Sequence, residues 1–153
     1  MRMRRQLGAT ALALSTMALG CGRQAPPPNF VVISVNTLRR DARRAYDAGA
    51  PALPHLDALA ARSARFTHAL AAAAWTLPSH ASLFTGVYPN RHGAVHRDAT
   101  ISRAVPTLAS MLSRRGYETV AFTDGGFLDT SYGFGRGFQR FDDRLGKGVA
   151  ALP

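Results

Sequence analysis

One cysteine, Cys21, and one lysine, Lys147, are all that the 153 residues hold of either type. A lone thiol excludes a disulfide within the chain, so any stable fold must rest on an apolar core. Scarcity of lysine places nearly all of the formal net charge of +10 on arginine. Such a bias points to a GC-rich genome as readily as to a function. There is no long basic run interleaved with aromatics, as a single-strand groove would favour, and no nucleic-acid partner is expected. The arginines instead fall in scattered pairs, among them Arg39-Arg40, Arg43-Arg44 and Arg114-Arg115. The apolar stretch at residues 7–19 is about 13 residues long, short of the roughly 20 that a comfortable membrane span needs. Internal repeats are absent. What remains is ordinary for a globular protein, 46% hydrophobic and 18% charged, with room for one modest domain.

The N-terminus reads as an address. Arg2, Arg4 and Arg5 precede the apolar stretch, and small residues lie near its end, so residues 1–20 are expected to be an export signal. The run Met17-Ala18-Leu19-Gly20-Cys21 resembles a bacterial lipoprotein signal, in which the cysteine is acylated and becomes the mature N-terminus. Lipoprotein signals usually place leucine three positions before the cysteine, where this chain has Ala18. The expectation is a membrane-anchored lipoprotein of the cell envelope, held by lipid on Cys21. An ordinary signal peptide, giving a periplasmic or secreted protein, is the alternative. Residues 21–28, with three successive prolines, read as a stiff tether.

From residue 29 the pattern is α/β. Phe30-Val31-Val32-Ile33-Ser34-Val35 is near-continuously β-branched, the pattern of a strand buried on both faces of a parallel sheet. Polar residues beginning at Asn36 follow its carboxyl end, where ligands gather in open α/β sheets. A helix is expected over residues 54–62, a short strand over 64–69, and a second helix over 77–84, opened by Thr76 and Pro78. A third helix over 106–115 closes at Gly116, and Thr119-Val120-Ala121-Phe122-Thr123 makes a second buried strand. From Asp124 the Gly- and aromatic-rich chain reads as an irregular loop. The predicted fold is the start of a layered α/β domain with a mostly parallel sheet.

Three stretches resemble the sulfatase family of the alkaline phosphatase superfamily, in its order and approximate spacing. The first is Asn29-Phe30-Val31-Val32-Ile33-Ser34-Val35-Asn36-Thr37-Leu38-Arg39, similar to the family's opening strand. The second is Pro54-His55-Leu56-Asp57-Ala58-Leu59-Ala60 followed by Ala64-Arg65-Phe66-Thr67-His68-Ala69. The third, Trp75-Thr76-Leu77-Pro78-Ser79-His80-Ala81-Ser82-Leu83-Phe84-Thr85-Gly86-Val87-Tyr88-Pro89-Asn90-Arg91-His92-Gly93, looks like the nucleophile motif. The resemblance runs over residues 29–143 and leaves the tail at 144–153 unmatched. It implies the N-terminal part of an alkaline-phosphatase-like fold and metal-dependent hydrolysis of sulfate or phosphate esters.

The chemistry so implied needs a hydroxyl nucleophile and one or more divalent ions, which lower its pKa and absorb developing charge. Carboxylate oxygens suit Ca²⁺, Mg²⁺ or Mn²⁺, while added histidine suits Zn²⁺. Thr76 occupies the nucleophile position, where sulfatases carry a cysteine or serine oxidised to formylglycine. Threonine is not a substrate for that oxidation, and His80 replaces the motif's arginine, so formylglycine is not expected. Thr76 at a helix N-terminus is the candidate nucleophile and metal-facing oxygen, with a mere helix cap as the alternative. Asn36 stands at the first metal-binding aspartate, either as a weak ligand or as a lost one, and Thr37 where many sulfatases have a second. His80 is the candidate oxyanion contact, whereas His92 reads as structural. Thr123-Asp124-Gly125-Gly126-Phe127 lacks the lysine and histidine that the family carries there. The family's remaining ligands, an Asp-His or Asp-Asn pair on a later strand, are not found before Pro153. The sequence therefore reads as a sulfatase-like hydrolase domain that is truncated and inactive alone. The alternative is a non-catalytic, lipid-anchored fragment or degenerate protein.

Overall fold

The computed structural model describes residues 26–144. The expected export signal, Cys21 and residues 145–153 lie outside them. The chain divides after Val35 into two units. In the first, residues 26–35 form neither helix nor strand. The run at 30–35, expected as a buried strand, is exposed, with Val31 at 82% and Ile33 at 79%. β-Branched residues supply a local preference only, and burial on both faces needs elements packed on each.

The second unit is built mainly of short helices. A 3₁₀ turn spans Arg40–Ala42, followed by helix α1 (Pro54–Ala61), α2 (Thr76–Thr85), α3 (Pro89–His92) and α4 (Leu108–Ser113). Strand β1 (Val120–Phe122) precedes two 3₁₀ turns, Gly126–Leu128 and Thr130–Tyr132, and β2 (Arg140–Asp142) closes the described chain. The strands are parallel, with Val120 opposite Arg140, Ala121 opposite Phe141 and Phe122 opposite Asp142. This small parallel sheet with helices is the partial α/β fold that the sequence predicts.

Local chemistry sets the element ends. Pro54 opens α1 with no N–H to leave unbonded, and Asp57 Oδ2 accepts from the Leu53 N–H at 2.9 Å. Thr107 caps α4 reciprocally: its Oγ1 accepts from Ser110 N–H at 3.1 Å, and Ser110 Oγ accepts from Thr107 N–H at 3.0 Å. Thr107 Oγ1 also donates to the Arg136 carbonyl at 2.7 Å. At the other end, Gly116 takes φ of +83°, and Tyr117 N–H reaches back to the Leu112 carbonyl at 3.2 Å. That six-to-one bond is the expected glycine stop, a Schellman turn. Gly137 lies against α4 so closely that a Cβ there would sit 2.2 Å from the Ser110 nitrogen.

Other expectations are corrected. Residues 64–69 are exposed and form no strand: Phe66 and Thr67 supply a local preference, but no ladder receives them. β1 exists but is not buried, for Val120 and Phe122 are 41% and 56% exposed beside a single neighbouring strand. β2 falls inside the stretch expected to be irregular. Its residues have no strand pattern, and pairing selects them: Gln139 and Arg140 both donate backbone N–H to the Thr119 carbonyl, at 2.9 and 3.3 Å.

The core gathers on α2. Leu77 and Ala81, one turn apart, are fully buried, Ala94, Ile101 and Phe134 are buried with them, and Trp75, Phe84 and Phe127 pack around them. Trp75 meets Phe127 edge-on with centroids 5.0 Å apart, and Phe84 meets Phe134 likewise at 6.1 Å. Such contacts add about 0.5–1.5 kcal/mol each beyond area burial. Among the described residues no helix is long and apolar enough to cross a membrane.

Candidate active site at the start of helix α2

Burial of Leu77 and Ala81 fixes the rotation of α2 and leaves its first residue, Thr76, half-buried at the rim of the core. The helix is not capped by Thr76. Trp75 is the N-cap, in extended backbone with φ −141° and ψ 167°, and no side chain caps the first turn. Thr76 is the first helical residue, so the expectation of a mere cap fails on geometry: a cap's side chain must come from the residue before the helix. Pro78 brings no N–H to the first turn. The Thr76 and Leu77 amides remain as the positive end of the helix, with Thr76 Oγ1 beside them.

Asn36 comes to the same place. Its Nδ2 donates to Thr76 Oγ1 at 3.4 Å, a long bond across 40 positions of sequence. Thr37, directly after it, has φ of +57° and is the non-glycine residue with positive φ among those described. A β-branched side chain in that region is strained, by roughly 1–3 kcal/mol. Thr37 Oγ1 donates to the Asn36 carbonyl at 2.8 Å, which holds the turn. Asp41 does not join them. Arg39 binds it through Nε at 2.9 Å and through a second guanidinium contact, and the Arg39 hydrogen bonds hold its carboxyl below the usual range.

The two histidines are both buried, in different roles. His80 Nδ1 lies 2.9 Å from the Thr76 carbonyl. A carbonyl only accepts, so Nδ1 carries the proton and the ring folds back on its own helix. His92 is fully buried: its Nδ1 accepts from Ala94 N–H at 3.1 Å, so Nε2 carries the proton and faces Ser82 Oγ at 3.0 Å. Burial holds the His92 pKa below the usual histidine value, which keeps the ring neutral. It ties the short helix α3 to α2 through Ser82, a structural role.

The sequence-predicted residues Asn36, Thr76 and His80 thus lie around the open end of α2. The donor set is a neutral one. Asn36 turns its N–H, not its oxygen, toward Thr76, and the described residues contain no group of three or more His, Cys, Asp or Glu placed to hold an ion. Six to eight oxygens with several carboxylates suit Ca²⁺, and an octahedron of oxygens suits Mg²⁺. Asn36 and Thr76 alone do not fit such an ion. Residue reading missed the wall of this end of α2. Where the resemblance calls for lysine and histidine, Phe127 packs on Trp75, and Arg97 stacks on the Phe127 ring at 5.6 Å. Nothing in the spacing of Arg97 announces that contact.

The sulfatase family model matches residues 28–148 of this chain. The chain belongs to the sulfatase family, within the alkaline phosphatase superfamily. It is 33% identical over 103 residues to the N-acetylgalactosamine-6-O-sulfatase of Bacteroides thetaiotaomicron, covering 64% of this chain and 20% of that protein. It is 36% identical over 104 residues to the steryl-sulfatase of Mus musculus, covering 61% and 17%, and 32% identical over 141 residues to arylsulfatase A of Bos taurus, covering 82% and 28%. This sulfatase-family chain therefore matches only 17–28% of the length of these relatives. No solved structure gives a significant match.

Proposed function

We propose that this chain is the N-terminal part of an ester hydrolase in which Thr76 Oγ1 is the attacking oxygen. The observation that carries the reading is the approach of Asn36 to Thr76 at the uncapped start of α2. In the proposed reaction Thr76 Oγ1 attacks the sulfur or phosphorus of a sulfate or phosphate ester. The Oγ–S or Oγ–P bond forms as the ester's bond to its alcohol breaks, and the alcohol leaves with a proton. Water then attacks the threonyl ester, releasing inorganic sulfate or phosphate and restoring the hydroxyl. The helix amides face the charge that gathers on the equatorial oxygens. His80, which holds the Thr76 carbonyl, positions that first turn.

The relatives are named for sulfate esters, which favours a sulfate ester as the substrate class. The threonine itself leans the other way. Its carbon bears one oxygen, so clearing the covalent ester requires water at sulfur or phosphorus, a route open to phosphoesters without formylglycine. Paired assays on an aryl sulfate and an aryl phosphate, with Thr76→Ala and Thr76→Ser, test the reading. Turnover that survives Thr76→Ala would remove Thr76 as nucleophile.

One observation favours a second reading, that of a non-catalytic protein: Asn36 offers Thr76 a neutral N–H where the resemblance implies a carboxylate. A divalent ion would then need carboxylates beyond those described. Calorimetry with Ca²⁺, Mg²⁺, Mn²⁺ and Zn²⁺ separates the two readings. Tight binding that weakens at least about tenfold in Asn36→Ala argues against the degenerate protein. The proposal includes export by residues 1–20 and a lipid on Cys21. Cys21→Ser is then expected to move the protein from the membrane to the soluble fraction.

A further inference from the structure

Left-handed backbone is given to glycine almost everywhere in this molecule. Of the described residues with positive φ, seven are glycines and the remaining one is Thr37, at φ +57°. A β-branched residue is among the least suited to that region. Asn36 and Thr37 form the corner of a turn, where glycine or asparagine would take such a φ at little cost. Burial does not explain the threonine, because both residues are exposed and no core demands a branched side chain there. What threonine adds over glycine is a hydroxyl. Thr37 Oγ1 donates to the Asn36 carbonyl at 2.8 Å, and Asn36 Nδ2 donates to Thr76 Oγ1 at 3.4 Å. The two bonds run in series, from the strained residue through Asn36 to the start of α2.

We infer that Thr37 is a positioning residue for Thr76, acting through Asn36. Its left-handed backbone sets the course of the chain at the turn, and its hydroxyl pins the Asn36 peptide with the side-chain amide toward Thr76. Strained residues persist where the structure around them over-determines their conformation, and they gather where a side chain must be aimed. A long, exposed hydrogen bond such as that from Asn36 to Thr76 is too weak to impose the strain, so the orientation is set from the Thr37 side. Glycine at position 37 would permit the same φ without enforcing it. This assignment rests on the hydrolase reading above and adds to it a residue that works one step away from the attacking oxygen.

The test reads the Asn36 side chain directly and needs no turnover. By nitrogen-15 relaxation on the full chain, the order parameter of the Asn36 side-chain amide is expected above about 0.6, and that of Asn90, an exposed asparagine on α3, below it. Thr37→Gly and Thr37→Val, which both delete the hydroxyl, are each expected to lower the Asn36 value to that of Asn90. Thr37→Asn, which tolerates the left-handed region, is expected to keep it. The unfolding midpoint of Thr37→Gly should be no lower than the parent's, because strain leaves with the hydroxyl, and this variant carries the test should Thr37→Val fail to fold. In kinetics on an aryl ester, Thr37→Gly should lower kcat about tenfold with KM unchanged, yet have less than about a twofold effect in an Asn36→Ala background. An Asn36 amide as mobile as that of Asn90 in the parent, or one that stays ordered in Thr37→Gly, overturns the assignment. A rate loss undiminished in the Asn36→Ala background overturns it too. If the chain hydrolyses neither ester while the order at Asn36 still depends on Thr37, the hydrolase reading fails and the positioning of Asn36 stands.

Discussion

Helices α2 and α4 of the second unit begin in opposite ways. Helix α4 is closed: Thr107 and Ser110 satisfy each other's backbone N–H groups, Thr107 Oγ1 reaches on to the Arg136 carbonyl, and Gly137 approaches so closely that any Cβ there would collide with Ser110. Helix α2 is open: Trp75 precedes it without a capping side chain, and the hydroxyl that would serve as a cap sits one residue late, at Thr76. Both helices contribute to the buried interior, so the difference is not one of burial. A hydroxyl at the N-cap serves the helix, whereas the same hydroxyl at the first helical residue is left for something outside it. Asn36 is the group that arrives there.

The comparison is broken most directly by exchanging the roles of the two threonines. Removal of the Thr76 hydroxyl is expected to lower ester hydrolysis by at least about a thousandfold in the protein that carries this segment. Thermal stability should change by less than about 0.5 kcal/mol, since no cap is lost. Rates on the two aryl esters, measured alongside thermal unfolding, report both halves of that statement. A large loss of stability with little loss of rate would show Thr76 to be structural after all.

Thr107→Ala is the mirror experiment, with a smaller effect in the other quantity. It deletes the acceptor for Ser110 N–H and the donor to the Arg136 carbonyl, and about 1–2 kcal/mol of stability should go with them. Catalytic rate at temperatures where the variant is folded should be unchanged. Urea unfolding midpoints measure the first, and initial rates the second. Thr107→Ser, which keeps a hydroxyl at the cap, should recover most of the loss.

How much of this was legible in the residues depended on the range of the interaction. α1, α2 and α4 could be read because Pro54, Pro78 and Gly116 act within a turn of themselves. Asn36, Thr76 and His80 could be named from the motif they resemble; the structure places Asn36 Nδ2 on Thr76 Oγ1 and His80 Nδ1 on the Thr76 carbonyl. What could not be read was set by partners distant in sequence. Residues 30–35 have the composition of a buried strand, yet burial is a property of their neighbours and not of valine and isoleucine. β2 has a poor strand composition and is a strand because Thr119 lies beside it. The division of labour among the arginines was equally hidden. Arg39 and Arg40 are adjacent and alike, but one faces Asp41 and the other Tyr46.

The mildest probe of the open helix is acid, acting through His92. The ring is fully buried against Ser82 and Ala94, and its pKa is held below the histidine value of the unfolded chain by desolvation. On acidification the unfolded chain binds a proton at its ordinary pKa near 6.5, while the folded chain resists. Stability from this group is therefore complete above about pH 6.5 and falls as the pH drops below it, until the folded ring also protonates. The lowered carboxyls of Asp41, Asp129 and Asp142 do not confuse the window, because their contributions disappear only nearer the acid range of aspartate. Unfolding midpoints between pH 7.5 and 5.5 should fall more steeply in the parent chain than in His92→Gln, which starts less stable and has no imidazole at that position. Because His92 holds α2 through Ser82, on the turn after Thr76 and away from its hydroxyl, the same acidification in folded protein should leave the Asn36–Thr76 contact in place. Protection factors at Ser82 and Gly93 that fall with acid, with Ser79, the first bonded amide of α2, unchanged, are the expected signature. An equal fall at Ser79 would mean that the open end of α2 is held by this histidine and not by the core beneath it.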